Sequence, residues 1–108
     1  MTTRGNVSIS GSGGVSVKIF TRNKDENPFK DYKNRIKCVL ELKDLEEVLE
    51  DTFTVPTAPA TDKEKKQTKN DKLARTWFKL TTSGPPHYLI KALKTAKAML
   101  TTLENEYD

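Results

Sequence analysis

Apolar residues recur at helical spacing in one stretch of this chain, residues 27–51. A first group falls at three- and four-residue steps, which places it on one stripe of a helix: Phe29, Tyr32, Ile36, Val39 and Leu40. A second group flanks the polar Lys43-Asp44 pair: Leu42, Leu45, Val48 and Leu49. Asn27 and Asp44 carry side-chain oxygens that cap helices, and Pro28 is tolerated in a first turn. The pattern predicts two packed helices joined by a tight corner.

The next helical pattern begins after a loop. Residues 52–60 hold two prolines and no charge, so they favour a connecting segment. Thr61 and Glu64 have the spacing of a capping box, which predicts a third helix from that point. The first half of this helix has no apolar residue, whereas Leu73, Trp77 and Leu80 follow at four- and three-residue steps. We therefore expect Trp77 to lie in the core.

Both ends of the chain have weaker patterns. Gly84, followed by two prolines, predicts the end of the third helix. Residues 87–93 then predict a short helix, and Thr95 the cap of a last amphipathic helix. Residues 1–14 are rich in Gly, Ser and Thr and predict a flexible tail. Residues 15–20 alternate between apolar and polar, which indicates an extended segment along a helical surface without a partner strand.

These elements predict an all-α fold, a small bundle of about five helices in one domain at residues 15–108. A chain of 108 residues that is 34% hydrophobic and 31% charged has room for one small core. The predicted core consists of the apolar positions on the helical stripes: Phe29, Tyr32, Ile36, Leu40, Leu45, Leu49, Leu73, Trp77, Leu80, Leu89, Leu93 and Leu103.

The residues that carry chemistry are sparse. His87 is the only histidine and Cys38 the only cysteine, so no catalytic triad, disulfide or clustered metal-ligand pattern is indicated. We expect no enzyme, no cofactor and no small-molecule substrate. No apolar run approaches the roughly 20 residues that span a bilayer, and the N-terminal residues lack the apolar h-region typical of a signal peptide. We therefore expect a cytoplasmic protein without a membrane partner.

Charge is segregated along the chain. Residues 24–51 carry six basic and nine acidic residues, whereas residues 62–79 carry seven basic and three acidic residues. Such polarity can steer association between copies or attract polyanions, although a charge run also suits a solvated helix face. The candidate interface or RNA contacts are Glu46, Glu47, Glu50, Lys65, Lys66, Lys69 and Lys72. Without interleaved aromatic residues, the lysines support only weak, salt-sensitive binding to RNA.

The apolar pattern is also one that a known family shows. Phe29, Tyr32, Ile36 and Leu40 fit a first helix of the form F-x-x-W/Y-x-x-x-hydrophobic-x-x-x-L, and Asp44, Leu45, Val48 and Leu49 fit the helix after it. The final segment fits a family ending with Ile90, Thr95, Ala96, Leu103 and Tyr107. In these features residues 18–108 resemble the Gag polyprotein of copia-type LTR retrotransposons. Tyr32 and Leu100 stand where that family usually has Trp, and Glu46 stands where it has an aromatic residue.

The resemblance implies an all-helical capsid N-terminal domain. Such a domain assembles with copies of itself into a virus-like shell that packages the element's RNA. The alternative from the residues themselves is a small helical adaptor, or an RNA-binding module that uses the lysine-rich helix at 62–79.

Overall fold

A computed structural model describes residues 6–8, 16–21, 28–58 and 60–108. These residues form an all-α fold, as predicted, with a short hairpin at its N-terminal side. In chain order the described elements are β1 (Asn6–Ser8), β2 (Ser16–Lys18), α1 (Phe29–Leu42), a 3₁₀-helix (Glu46–Leu49), α2 (Asp62–Leu80), α3 (Pro85–Ile90) and α4 (Ala96–Tyr107).

Helix α1 begins directly after Pro28, which takes the cap position without a side-chain hydrogen bond. Asn27, the predicted cap, lies outside the described residues. At the other end Asp44 does not cap a second helix, because its φ of 57° places it in the left-handed region. The N–H groups of Asp44 and Leu45 donate to the carbonyls of Glu41 and Leu40 at 3.0 and 2.7 Å. This Schellman motif ends α1 and leaves only a 3₁₀-helix where the second helix was predicted.

Helix α2 begins with the capping box that the sequence predicts. The Glu64 N–H donates to the Thr61 hydroxyl at 3.1 Å, and the Thr61 N–H donates to the Glu64 carboxylate at 3.1 Å. The helix ends at Leu80, with Thr81 as its C-cap, before the glycine expected to stop it. Gly84 instead precedes α3, with φ 67° and ψ −139°, a backbone conformation that suits glycine. The predicted cap of the last helix is present, since the Thr95 hydroxyl accepts from the Ala98 N–H at 3.1 Å.

The extended segment before α1 has partners on two sides. Strand β2 pairs antiparallel with β1, with Val7 opposite Val17, so the expectation of an unpaired strand is wrong. Two residues later, the Phe20 N–H donates to the Thr81 carbonyl at 2.7 Å, and the Ser83 N–H donates to the Phe20 carbonyl at 3.0 Å. Apart from β1, the predicted flexible tail at 1–14 lies outside the described residues.

An aromatic cluster joins this segment to α1 and α4. The Phe20 ring stacks on Tyr32 with a centroid distance of 5.1 Å, and it makes edge-to-face contacts with Phe29 and Tyr107 at centroid distances of 5.4 and 5.0 Å. Burial raises the pKa of the Tyr32 hydroxyl, which shares a 2.7 Å hydrogen bond with the hydroxyl of Thr81. The N-terminal segment is therefore part of the core.

Six predicted core residues are buried: Phe29, Tyr32, Ile36, Leu40, Leu45 and Leu103. Three others, Leu49, Trp77 and Leu93, are half-buried at the edge of the same cluster. The core also contains apolar residues that the predicted set lacked: Val17, Phe20, Val39, Val48, Ala74, Phe78, Ile90, Ala96, Met99 and Leu100.

The prediction is wrong for Leu73, Leu80 and Leu89, which are 42%, 56% and 41% exposed. Helix α2 turns Ala74 and Phe78 inward. Because successive residues are about 100° apart on a helix, Leu80 lies about 200° round from Phe78 and faces solvent. Leu42, at the end of α1, is exposed as well.

Candidate functional site

The outward side of α2 combines basic and apolar residues. Counted from Phe78 at about 100° per residue, Lys69 lies about 180° away, on the side opposite the core. Its neighbours at helical spacing share this exposure. We call this surface the α2 outer face, and it consists of Lys65, Lys66, Lys69, Lys72, Leu73 and Leu80.

The four lysines of the α2 outer face make no ion pair with any residue that the structure describes. The ion pairs of that part of the chain lie elsewhere and are Lys33 with Glu104 and Asp108, Arg75 with Asp71, and Lys97 with Asp51. Lysines with no fixed partner are available to an acidic surface or a phosphate backbone.

The acidic residues predicted as interface contacts separate into two environments. Glu47 faces α2 and accepts a hydrogen bond from the Asn70 side-chain amide at 3.3 Å. Glu46 and Glu50 instead line a cavity of about 190 Å³ between α1 and the 3₁₀-helix. The described residues that line it form what we call the acidic groove: Lys37, Glu41, Glu46, Leu49 and Glu50. Only two of the three predicted glutamates therefore share one surface.

A buried carboxylate fixes the rotation of α2. One oxygen of Asp71 accepts a hydrogen bond from the backbone N–H of Ala96, the first residue of α4, at 2.9 Å. The other oxygen pairs with the guanidinium of Arg75 at 2.8 Å. Asp71 is fully buried, so this side of α2 must face α4. The opposite side, with the lysines, is thereby held in solvent.

Sequence reasoning missed Asp71 because it searched for apolar residues on the inward face of this helix. A signal was present, since Asp71 and Arg75 have the i,i+4 spacing of a helical ion pair. That spacing is common on solvated faces as well, and it does not indicate burial by itself.

The other polar side chains considered from the sequence have local roles. The Nδ1 atom of His87 lies 3.2 Å from the Lys79 carbonyl and 3.4 Å from the Thr82 hydroxyl, at the end of α2. Cys38 is exposed. Among the described residues, no group of three or more His, Cys, Asp or Glu side chains could hold a metal ion.

No helix in the described part of the chain is both long and apolar enough to cross a membrane. Comparisons with protein-family models, curated proteins and solved structures give no match. The features of this chain that bear on its function are therefore its two charged surfaces and its sequence resemblance.

Proposed function

We propose that this chain is a structural assembly domain that associates with copies of itself, as the resemblance to copia-type Gag implies. In that role it would form a shell around RNA. The observation that carries the proposal is the presence of two exposed surfaces of opposite charge on one folded domain. The α2 outer face carries four lysines, whereas the acidic groove carries three glutamates and one lysine. Among the described residues, no ion pair involves a side chain of either surface.

Charge of this kind suits repeated weak contacts. A single exposed ion pair contributes about 0.2–1 kcal/mol, which is too little to hold two small domains together. A closed assembly repeats the same contact many times, so modest pairwise affinity is enough once several contacts form together. Exposed Leu73 and Leu80 add apolar area within the basic surface.

Sedimentation velocity and light scattering over a range of protein concentrations test the proposal. We expect larger species at low salt, because the Debye length at 0.1 M salt is about 10 Å. They should dissociate near 1 M salt, where that length is about 3 Å. The variant Lys30→Glu/Lys94→Glu reverses two exposed lysines outside both surfaces and serves as a control for a general effect of charge. A chain that remains monomeric at every concentration and salt would contradict the proposal.

RNA binding by the same lysines is the second candidate function. The four lysines lie within eight residues of one helix, a distance of about 10 Å along its axis, so they can meet neighbouring phosphates of one strand. Fluorescence anisotropy with a single-stranded RNA at several salt concentrations tests this. Four phosphate contacts predict a slope of about −3 in a plot of log K against log salt. The absence of salt-dependent binding at micromolar protein would remove this candidate.

A further inference from the structure

We propose that the α2 outer face of one copy docks into the acidic groove of a second copy, so that the two copies associate head to tail. This inference rests on the proposed self-association and adds which surfaces meet. The unpartnered side of α2 is the docking face, and its occupant is another copy of this chain.

Charge complementarity is the first argument. The acidic groove carries three carboxylates, those of Glu41, Glu46 and Glu50, against the single ammonium of Lys37. The α2 outer face carries four lysine ammonium groups within two turns. Opposed potentials of this kind steer two surfaces into register and disfavour contacts between like faces. Two α2 outer faces would repel each other, so the partner of this face is a different surface of the second copy.

The apolar residues of the two surfaces also correspond. Leu49 lies half-buried on the wall of the acidic groove. Leu73 is 42% exposed on the α2 outer face and lies one turn after Lys69. Contact between the two leucines would remove apolar area from water, with lysine and glutamate side chains around it. An apolar centre within a polar rim is the usual anatomy of a protein interface.

The two surfaces of one chain do not meet each other. The 3₁₀-helix contacts both α1 and α2, and Glu47 accepts a hydrogen bond from Asn70 of α2. Glu46 and Glu50 lie on the α1 side of that helix. Among the described residues, no ion pair joins the groove to the lysines. The complementary partner is therefore supplied by a second chain, and a contact between two different surfaces propagates as a ring or a filament.

Two charge-reversal variants test this arrangement. Glu46→Lys/Glu50→Lys reverses two charges in the acidic groove, and Lys66→Glu/Lys69→Glu reverses two charges on the α2 outer face. All four residues are exposed. Each variant alone should weaken self-association at least about tenfold, since like charges would then oppose each other. An equimolar mixture retains one intact groove and one intact face in each pair. The mixture should therefore associate where neither variant does alone, as measured by sedimentation velocity.

Controls separate charge from folding. Asp31→Lys/Glu106→Lys changes the net charge as the groove variant does, at exposed positions outside both surfaces, and should associate like the wild type. The neutral variant Lys66→Gln/Lys69→Gln should show a smaller loss than the glutamate variant. Circular dichroism and urea unfolding of each variant establish that the fold is retained.

Three outcomes would overturn the proposal. If the wild-type chain never associates, the proposed assembly function fails together with the docking. If the wild type associates and the reversal variants associate equally well, the assembly function stands and these surfaces are wrong. If the lysine reversal abolishes RNA binding and leaves self-association unchanged, the α2 outer face binds nucleic acid instead.

Discussion

Replacement of Asp71 should weaken this fold, because its buried side chain joins α2 to α4. Its buried carboxylate accepts the Ala96 N–H at 2.9 Å and the Arg75 guanidinium at 2.8 Å. The Ala96 N–H is one of the free donors at the start of α4, where a negative charge also interacts favourably with the helix dipole. Asp71→Ala removes the acceptor, the charge and the partner of Arg75 together.

The magnitude follows from these contacts. A hydrogen bond to a charged group contributes about 1.5–3 kcal/mol, and a partly buried charge at a helix end contributes up to about 2 kcal/mol. The two terms overlap, so we expect Asp71→Ala to lower the free energy of unfolding by about 2–4 kcal/mol. For a domain of this size each kcal/mol lowers the melting temperature by about 4 °C, so the loss is about 8–16 °C. Asp71→Asn keeps an oxygen acceptor and should lose about half as much.

Urea unfolding followed by circular dichroism measures these differences. Glu106→Ala, at an exposed position of α4, is the matched control and should change stability by less than about 0.5 kcal/mol. If Asp71→Ala and Asp71→Asn both remain within that range, Asp71 does not hold α2 against α4. The contact of Asp71 with α4 would then not explain why the lysines of α2 face outward.

Two further changes test the rotation and the start of α2. Phe78→Ala should lower the free energy of unfolding by about 3–5 kcal/mol, because Phe78 is fully buried. Leu80→Ala should lower it by less than about 1 kcal/mol in the same urea experiment, because Leu80 is exposed. Equal losses would contradict the orientation of the helix. Hydrogen bonds from Thr61 and Ala60 hold the pKa of Glu64 below the ordinary 4.5 of a glutamate. A lowered pKa in the folded state means that Glu64 stabilises the fold above that value, and that this contribution disappears as pH falls through the folded-state pKa. The wild type should therefore exceed Glu64→Gln in stability at neutral pH and converge with it in acid, as measured by unfolding across pH; a constant difference would argue against the capping box.

The fold class and α1 could be predicted because their signals are local. On a helix, the spacing of Phe29, Tyr32, Ile36 and Leu40 places all four side chains on the same face, and all four are buried. The capping box at Thr61 and Glu64 is likewise a contact between residues three apart. Patterns of this kind contain the whole interaction within a few residues of sequence.

The rotation of α2 could not be predicted in the same way. Two stripes compete on this helix, one with Leu73, Trp77 and Leu80, the other with Ala74 and Phe78. The first has the larger apolar residues, so a search for apolar periodicity selects it. The second is buried because Asp71 lies on its line and satisfies the N-terminus of α4, which depends on a residue 25 positions away. A pattern within α2 contains no information about that partner.

The charged surfaces were partly predictable. The composition identified the lysines of α2 and the glutamates near residue 46, and each set is exposed as a solvated face would be. The sequence did not separate Glu47 from Glu46 and Glu50, because that division depends on the 3₁₀ geometry after α1. The pairing of Phe20 with Thr82 was also beyond local reasoning, since 62 residues separate them.

The contact of Phe20 with the turn after α2 has a mechanical consequence. Two backbone hydrogen bonds join Phe20 to Thr81 and Ser83, and the Phe20 ring also touches Tyr107, 87 residues further along the chain. Tension applied through Phe20 and Tyr107 would load the contacts of Phe20 with Thr81, Ser83 and Tyr107 before it stretched any helix. The two backbone bonds and the ring contact would resist the pull together. If copies of the domain are tethered within a larger assembly, these contacts would be the first to bear a pull between Phe20 and Tyr107.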